Sequence, residues 1–259
     1  MNSHQLFQHI VKRKSIRKYK MDTLPEETIN EIANRVKTLT PLQGDLKTEI
    51  TLLPHDAVKG LLAIKAPHYL LIFSENKKGY LENAGYMLQQ MDLYLSSIGL
   101  GTCWLGMAKP TSGFNNVSPL PFVIAMAVGT PAEPVHRNSE AEFRRKLKVE
   151  ICSTPYHSHI IEAARLAPSA TNSQPWRFRT TPDAIHAYRM NVNLLKAWLY
   201  ERMNKIDMGI ALCHLQLAAE AEGYRVTMIH DEEAVEDHPI GTQYTMTLHL
   251  DKESAPPTS

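Results

Sequence analysis

The chain has 259 residues, of which 43% are hydrophobic and 21% are charged, and this balance excludes a disordered polypeptide while allowing one large domain or two small ones. Its 28 Lys and Arg against 27 Asp and Glu give no overall reason to expect a nucleic acid or an anionic membrane as partner. The 3 cysteines are odd in number and far apart, which argues against a disulfide scaffold. We find no signal-peptide pattern and no membrane-length apolar run, so we expect a cytoplasmic protein without a membrane partner.

A short amphipathic helix is predicted at residues 5–11, and a run of cations follows it at residues 12–20. On composition alone this run is a solvated surface, a phosphate site or a nucleic-acid contact. Arg13, Ser15 and Arg17 alternate, so in extended backbone their side chains would face one side. Two guanidinium groups and a hydroxyl suit a single phosphate group better than a long polyanion.

The rest of the first half alternates helices and strands. Hydrophobic periodicity predicts these elements in order: helix 26–37, strands 48–53 and 69–73, helix 84–98 and strand 122–128. Residues 23–26 resemble a capping box at the start of the first helix. The Gly-Leu-Gly at 99–101 follows a helix, whereas a Rossmann phosphate loop must follow a strand, so we exclude a Rossmann site. A linker at 132–141 then leads to a second cationic cluster at 143–146.

The second half repeats this order of elements. It is predicted to contain helix 157–166, strand 176–180, helix 207–222, strands 224–229 and 244–250, and a disordered tail at 252–259. Aligning Gly85 with Gly209 also aligns Leu88 with Leu212, which extends the repeat to the residue level. We therefore predict two lobes, residues 1–137 and 138–259, packed about a pseudo-two-fold axis as one compact unit.

A polar turn at residues 167–176 separates helix 157–166 from the strand at 176–180. It reads Ala-Pro-Ser-Ala-Thr-Asn-Ser-Gln-Pro-Trp, and its two prolines end the helix. Taken alone, the turn is either a loop whose Ser and Asn cap their own backbone or the polar edge of a ligand site.

Three segments together resemble the signatures of the FMN-dependent nitroreductases: Arg-Lys-Ser-Ile-Arg at 13–17, Gly-Leu-Gly-Thr-Cys-Trp at 99–104 and the turn at 167–176. The resemblance implies an α+β fold, specifically a three-layer α/β/α nitroreductase fold. In that family two FMN sites form between the subunits of a homodimer. Here the first half lacks the Pro-Ser-x-x-Asn turn near 38–44, and the second half has Gly-Tyr-Arg at 223–225 in place of Gly-Leu-Gly. The chain thus resembles an internally duplicated branch, a pseudo-dimer with one FMN per chain, for which a monomer suffices.

The resemblance also assigns site residues. It places FMN contacts on two sets of residues, one from each half: Arg13, Lys14, Ser15, Arg17, Leu100 and Gly101 from the first, and Pro168, Ser169, Ala170, Asn172 and Arg144 or Arg145 from the second. The first set would hold the phosphate and the pyrimidine side and lie near flavin N5, and Arg144 or Arg145 would close on the phosphate.

The implied function is electron transfer from NADH or NADPH to nitroaromatic, quinone or similar small-molecule acceptors by a ping-pong mechanism. The chemistry occurs at the flavin, so no catalytic side chain is expected. We also expect no metal, because matching ligand spacings do not occur among the histidines and cysteines. The alternative is a flavin-binding or flavin-sensing protein without turnover, and a nucleic-acid-binding module is disfavoured by the neutral net charge.

Overall fold

The structure is a computed structural model that describes residues 1–60, 64–192 and 197–252. The chain divides into two compact units. The N-terminal unit is Val11–Glu142, and the C-terminal unit combines Met1–Ile10 with Phe143–Ser259. These units differ from the predicted halves, 1–137 and 138–259, in the placement of the first ten residues and of residues 138–142. The pseudo-two-fold arrangement of the halves stays a prediction.

The N-terminal unit is built around one antiparallel sheet and one long helix. After helix α1 (Ser3–Phe7), which belongs to the C-terminal unit, its elements are α2 (Glu26–Val36), β1 (Thr48–Pro54), β2 (Val58–Lys59), β3 (His68–Ser74), α3 (Tyr80–Ser97), β4 (Gly101–Leu105), β5 (Lys109–Pro110) and β6 (Phe122–Gly129). The sheet order is β1-β3-β6-β4, and β2 pairs separately with β5. Every predicted helix and strand of this half is present within a few residues of its expected ends.

The C-terminal unit has the same kind of architecture. Its further elements are α4 (Lys148–Ile151), α5 (Ser158–Arg165), β7 (Trp176–Thr180), β8 (Ala184–Met190), α6 (Ala197–Ala221), β9 (Tyr224–Ile229), α7 (Glu232–Glu236) and β10 (Thr242–Lys252). The sheet is antiparallel with the order β7-β8-β10-β9, and α1 and α5 pack on α6.

The two sheets share one topology. In each, the first strand pairs with the second, the second with the fourth, and the fourth with the third, with all pairs antiparallel. In each unit the long helix, α3 or α6, connects the second strand to the third. The two units therefore share one strand order, and the α+β class is confirmed.

The core of the N-terminal unit lies around strand β3 and helix α3. All seven residues of β3 are buried, as the continuous apolar run predicts. Helix α3 is buried on almost all sides between Leu81 and Ser96, so the predicted apolar stripe describes only part of its buried surface. A helix buried on all sides needs internal partners for its polar side chains, and two of these partners lie at the candidate site below.

Four sequence expectations need correction or qualification. The capping box at 23–26 is wrong, because the N-cap of α2 is Pro25 and makes no side-chain hydrogen bond. Helix α6 begins ten residues before the predicted start at 207. Strand β8 was not predicted, because His186 and Arg189 interrupt its apolar pattern, yet it is an inner strand of its sheet. Of the predicted tail, Lys252 ends β10 and residues 253–259 lie outside the described residues.

Candidate functional site

The cationic segment at 13–17 runs beside strand β4. Ser15 forms an isolated parallel bridge with Thr102, and the Ile16 amide donates to the Thr102 carbonyl at 2.8 Å. A Cβ on Gly101 would lie 2.8 Å from Ile16 Cγ2, so glycine is required here for close packing against this buried side chain. The structure therefore joins two of the predicted motifs, residues 13–17 and 99–104, within the N-terminal unit.

Arg13 is the most buried cation of this segment. Only 1% of the residue is exposed, and its Nε lies 3.0 Å from Oδ2 of Asp92, a fully buried residue of α3. The Arg13 Nη2 donates to Ser15 Oγ at 3.3 Å, and the Thr102 hydroxyl donates to Asp92. The sequence pattern gave no sign of Asp92, which falls in the middle of a helix that is mostly apolar.

Three residues of the cationic segment affect the Cys103 thiol of strand β4. Burial raises the pKa of Cys103, while the charges of Arg17 and Arg13 and a hydrogen bond from Ser15 oppose this rise. Arg13 is buried, Ser15 is half-buried and Arg17 is exposed, and the convergence of the three side chains on one phosphate stays a prediction. We call these four residues together with Asp92 the Arg13 cluster.

A further guanidinium, that of Arg137, lies against this cluster. Its Nη1 donates to the Arg13 carbonyl, and its backbone amide donates to the Lys12 carbonyl at 2.8 Å. Burial and the nearby charge of Arg13 lower the pKa of Arg137 to about 10. Two partly desolvated cations are thus held close together, an arrangement that favours a bound anion.

The exposed Arg17 is positioned through its backbone. Its amide donates to Glu133 Oε1 at 2.8 Å and the Lys18 amide donates to the same oxygen at 3.3 Å, and the first of these bonds is the main reason that the pKa of Glu133 is lowered. Within the described residues, the Arg17 guanidinium makes no hydrogen bond or ion pair. Lys14 is half-buried, and its positive charge also lowers the pKa of Glu133. Leu100 is buried, and its amide donates to the Leu95 carbonyl.

The second group of predicted residues forms a strained turn in the C-terminal unit. Residues 169–174, which follow the buried Pro168, include three non-glycine residues with positive φ: Thr171 at 52°, Asn172 at 58° and Gln174 at 49°. Such values are uncommon outside glycine, and several within one turn persist only where surrounding contacts hold them. Within the turn, the Gln174 amide donates to Ser169 Oγ at 2.9 Å.

The Asn172 side chain connects this 169–174 turn to the second cationic cluster. Its Oδ1 accepts a hydrogen bond from Arg145 Nη1 at 2.7 Å, and its Nδ2 donates to the Arg144 carbonyl at 2.8 Å. Lys146 Nζ adds bonds of 2.9 Å to the carbonyls of Ser173 and Gln174. The structure therefore joins residues 143–146 to the predicted turn.

The two arginines at this junction have different surroundings. Arg145 also donates to the Leu166 carbonyl at 3.2 Å and lies over the Phe143 ring. Arg144 is exposed, and its guanidinium has no hydrogen-bond or ion-pair partner in the part of the chain that the structure describes. Of the two, Arg144 is the arginine with donors available to a ligand.

Asp207, which lies in none of the sequence motifs, supports the turn from helix α6. Both of its carboxyl oxygens lie 3.1 Å from the Ala170 amide nitrogen. Burial raises the pKa of Asp207 to about 8, and the bond from Ala170 partly opposes this. The signal that could have found it is a lone carboxylate among the apolar positions of a buried helix.

A family model described as "Putative TM nitroreductase" matches residues 5–219. The chain belongs to this nitroreductase family. The nitroreductase family predicted from the three motifs is confirmed, and the matched range contains all three motifs, whereas the internally duplicated branch stays a prediction.

Solved structures resemble this nitroreductase-family chain over different lengths. A Thermotoga maritima protein described as a "putative nitroreductase" covers 96% of this chain and 94% of its own, with 22% identity and a TM-score of 0.64, which supports a common fold. A nitroreductase family protein from Clostridium difficile covers 61% and 99% at 15% identity, with a TM-score of 0.46. A Desulfovibrio desulfuricans protein in complex with FMN covers 55% and 92% at 22% identity, with a TM-score of 0.40. No curated protein matched the sequence.

None of the helices that the structure describes in this nitroreductase-family chain is both long and apolar enough to cross a membrane.

Proposed function

We propose that this protein is an FMN-dependent oxidoreductase that transfers electrons from NADH or NADPH to nitroaromatic, quinone or similar small-molecule acceptors in a ping-pong sequence. The observation that carries the proposal is the family match over residues 5–219, which contain both cationic segments, the Gly-Leu-Gly segment and the 169–174 turn. When bound, FMN would supply the hydride and electron chemistry. The role of the protein is to bind and orient it.

The residues of the N-terminal unit fit an FMN phosphate. The Arg17 guanidinium is exposed and has no ion-pair partner among the described residues, and the Ser15 hydroxyl lies 3.3 Å from Arg13 Nη2. Arg13 and Arg137 add positive charge that Asp92 neutralises only in part. A dianionic phosphate would relieve this excess, and arginine is suited to it because its planar fork forms paired hydrogen bonds. Lys14 would contribute a further positive charge.

The residues of the C-terminal unit fit the remainder of the assignment. The 169–174 turn fixes the Ser169 hydroxyl and the Asn172 amide in a strained but well-supported conformation, which suits a preorganised binding loop. We assign the phosphate contact predicted for Arg144 or Arg145 to Arg144, because the Arg145 guanidinium is already used to hold the turn.

We further propose that the chain is internally duplicated and acts as a pseudo-dimer that binds one FMN and can function as a monomer. The identical strand order of the two sheets supports the duplication. A second correspondence lies in the long helices. The alignment of Gly85 with Gly209 places Asn83 on Asp207, and both side chains accept backbone N–H groups from the loop after the preceding helix. The first half lacks the Pro-Ser-x-x-Asn turn and the second half lacks Gly-Leu-Gly. This difference supports a single complete site.

The test begins with flavin binding by the purified protein. After incubation with FMN and desalting, we expect a yellow protein with a flavin-to-chain ratio near one; a colourless protein would refute the flavin assignment, and a ratio near two would refute the single site. Anaerobic addition of NADH or NADPH should then bleach the flavin absorbance, and a nitroaromatic or quinone should restore it. A yellow protein that neither donor bleaches would instead be a flavin binder without this turnover.

A further inference from the structure

The hydrogen bond from Ala170 to Asp207 joins the 169–174 turn to the body of the C-terminal unit. Asp207 is 3% exposed, and the Ala170 nitrogen lies 3.1 Å from each of its carboxyl oxygens. Ala170 itself is half-buried, and its N–H loses this acceptor when the Asp207 carboxyl group is removed. Here the acceptor comes from a helix that begins at Ala197, well separated in sequence from the turn.

Asn83, at the equivalent position of helix α3 in the N-terminal unit, accepts backbone N–H groups from a different loop. Asn83 is fully buried, and its Oδ1 accepts hydrogen bonds from the amides of Leu42 at 2.8 Å and Gln43 at 3.2 Å. Leu42 and Gln43 follow helix α2 as Ala170 follows helix α5. Two buried side chains at matching helix positions thus accept from two loops, one through an amide and the other through a carboxyl group.

The hydrogen bond from Ala170 to Asp207 is important for the C-terminal unit because the 169–174 turn is strained. Thr171, Asn172 and Gln174 all have positive φ, and such residues hold this conformation only when neighbouring contacts impose it. The bond from Ala170 fixes the residue immediately before Thr171. Its loss should release the turn toward conformations with negative φ.

We propose that Asp207 is a positioning residue of the FMN site: as the hydrogen-bond acceptor for the Ala170 amide, it holds the 169–174 turn in the conformation that binds the flavin. The inference rests on the proposed function. The acceptor oxygen of Asp207, and not its charge, holds the turn in this proposal. The reason is that the uncharged Asn83 amide also accepts backbone N–H groups at the matching position. Asparagine at 207 should therefore substitute for aspartate, whereas alanine should not.

The first experiment measures FMN dissociation constants by flavin fluorescence for three variants. Asp207→Ala should weaken FMN binding about tenfold or more, because the Ala170 N–H loses its acceptor and the 169–174 turn loses this support. Asp207→Asn should stay within about threefold of the wild type, because it keeps an acceptor oxygen. Asn83→Ala is the matched control: it removes the equivalent acceptor in the other unit and should leave FMN affinity within about threefold.

A second measurement examines the turn without flavin. Amide hydrogen exchange of the peptide that contains Ala170 should be faster in Asp207→Ala than in the wild type, and unchanged in Asp207→Asn and Asn83→Ala. This readout follows the hydrogen bond directly and does not depend on bound FMN.

If Asp207→Ala does not fold, Ala170→Pro removes the N–H donor of the same hydrogen bond and leaves helix α6 unchanged. Ser169 already has the extended backbone that precedes proline, with φ −145° and ψ 158°, and Ala170 opens a short 3-10 turn, where proline is tolerated. This variant should show the same loss of FMN affinity. Where both single variants fold, the double variant should be no weaker than either, because donor and acceptor belong to one bond.

Two results would overturn the inference in a wild-type protein that binds FMN: unchanged affinity in Asp207→Ala and Ala170→Pro, or an Asp207→Asn variant as weak as Asp207→Ala. Wild-type protein that binds no FMN would refute the proposed function and the flavin role of Asp207 together. The exchange measurement would then still report whether Asp207 holds the turn.

Discussion

The buried ion pair between Arg13 and Asp92 gives a prediction with a defined size. The two side chains are 2% and 0% exposed, so replacing Asp92 with asparagine leaves a guanidinium charge without its counter-charge in a site that excludes water. Asparagine keeps the shape of the side chain and an acceptor for the Thr102 hydroxyl, so the variant mainly removes charge. Breaking a buried pair in this way lowers the free energy of unfolding by about 3–5 kcal/mol.

The assay is urea unfolding of the wild type and of Asp92→Asn, followed by circular dichroism, with thermal melting as a second measure. The matched control is Asp251→Asn, which breaks the exposed contacts of Asp251 with Arg225 and His249. The side chains of Arg225, His249 and Asp251 are 72%, 40% and 41% exposed. Exposed pairs contribute at most about 1 kcal/mol, so this control should unfold almost as the wild type does. Equal stability of the Asp92→Asn and Asp251→Asn variants would contradict the reasoning. The combined Arg13→Met and Asp92→Leu variant should be more stable than Asp92→Asn, because no unpaired charge remains.

Three further predictions concern Arg17, Asp207 and Gly101. Arg17→Ala should weaken FMN binding about tenfold while leaving riboflavin binding unchanged, because its guanidinium is assigned to the phosphate; an equal loss for both flavins, measured by fluorescence titration, would contradict that assignment. The raised pKa of Asp207, about 8, means that the folded protein holds this proton more tightly than the unfolded chain, so the free energy of unfolding should fall as pH rises from about 4 to 8 and then level off. Asp207→Asn should remove this contribution, and urea unfolding of both proteins across that pH range should show a difference that changes with pH. Gly101→Ala should lower stability by about 1–3 kcal/mol, because a Cβ would meet Ile16 at 2.8 Å, whereas Gly113→Ala has open space and should unfold like the wild type; similar unfolding midpoints for both would refute the packing argument.

The sequence by itself determined the elements with strong patterns and the family. The apolar run of β3 predicted a buried strand, and the spacing from Ala84 to Ile98 predicted helix α3, because burial on a sheet or along a helix imposes those periods on the residues. The motifs at 13–17, 99–104 and 167–176 predicted the nitroreductase family, which the family match confirms. The repeated order of elements predicted an internal duplication, which stays a prediction, and the two sheets have the same strand order.

The tertiary structure decided which side chains meet. Asp92 and Asp207 lie within helices whose pattern indicates only core, and their partners Arg13 and Ala170 are distant in sequence. Strand β8 illustrates the same limit, because it pairs with β7 and β10 at an inner position of its sheet although polar residues interrupt its apolar pattern. Local sequence carries periodicity and turn chemistry, whereas long-range pairing depends on how the chain folds back on itself. The acceptors that hold the two candidate binding segments became visible for that reason only in the folded chain.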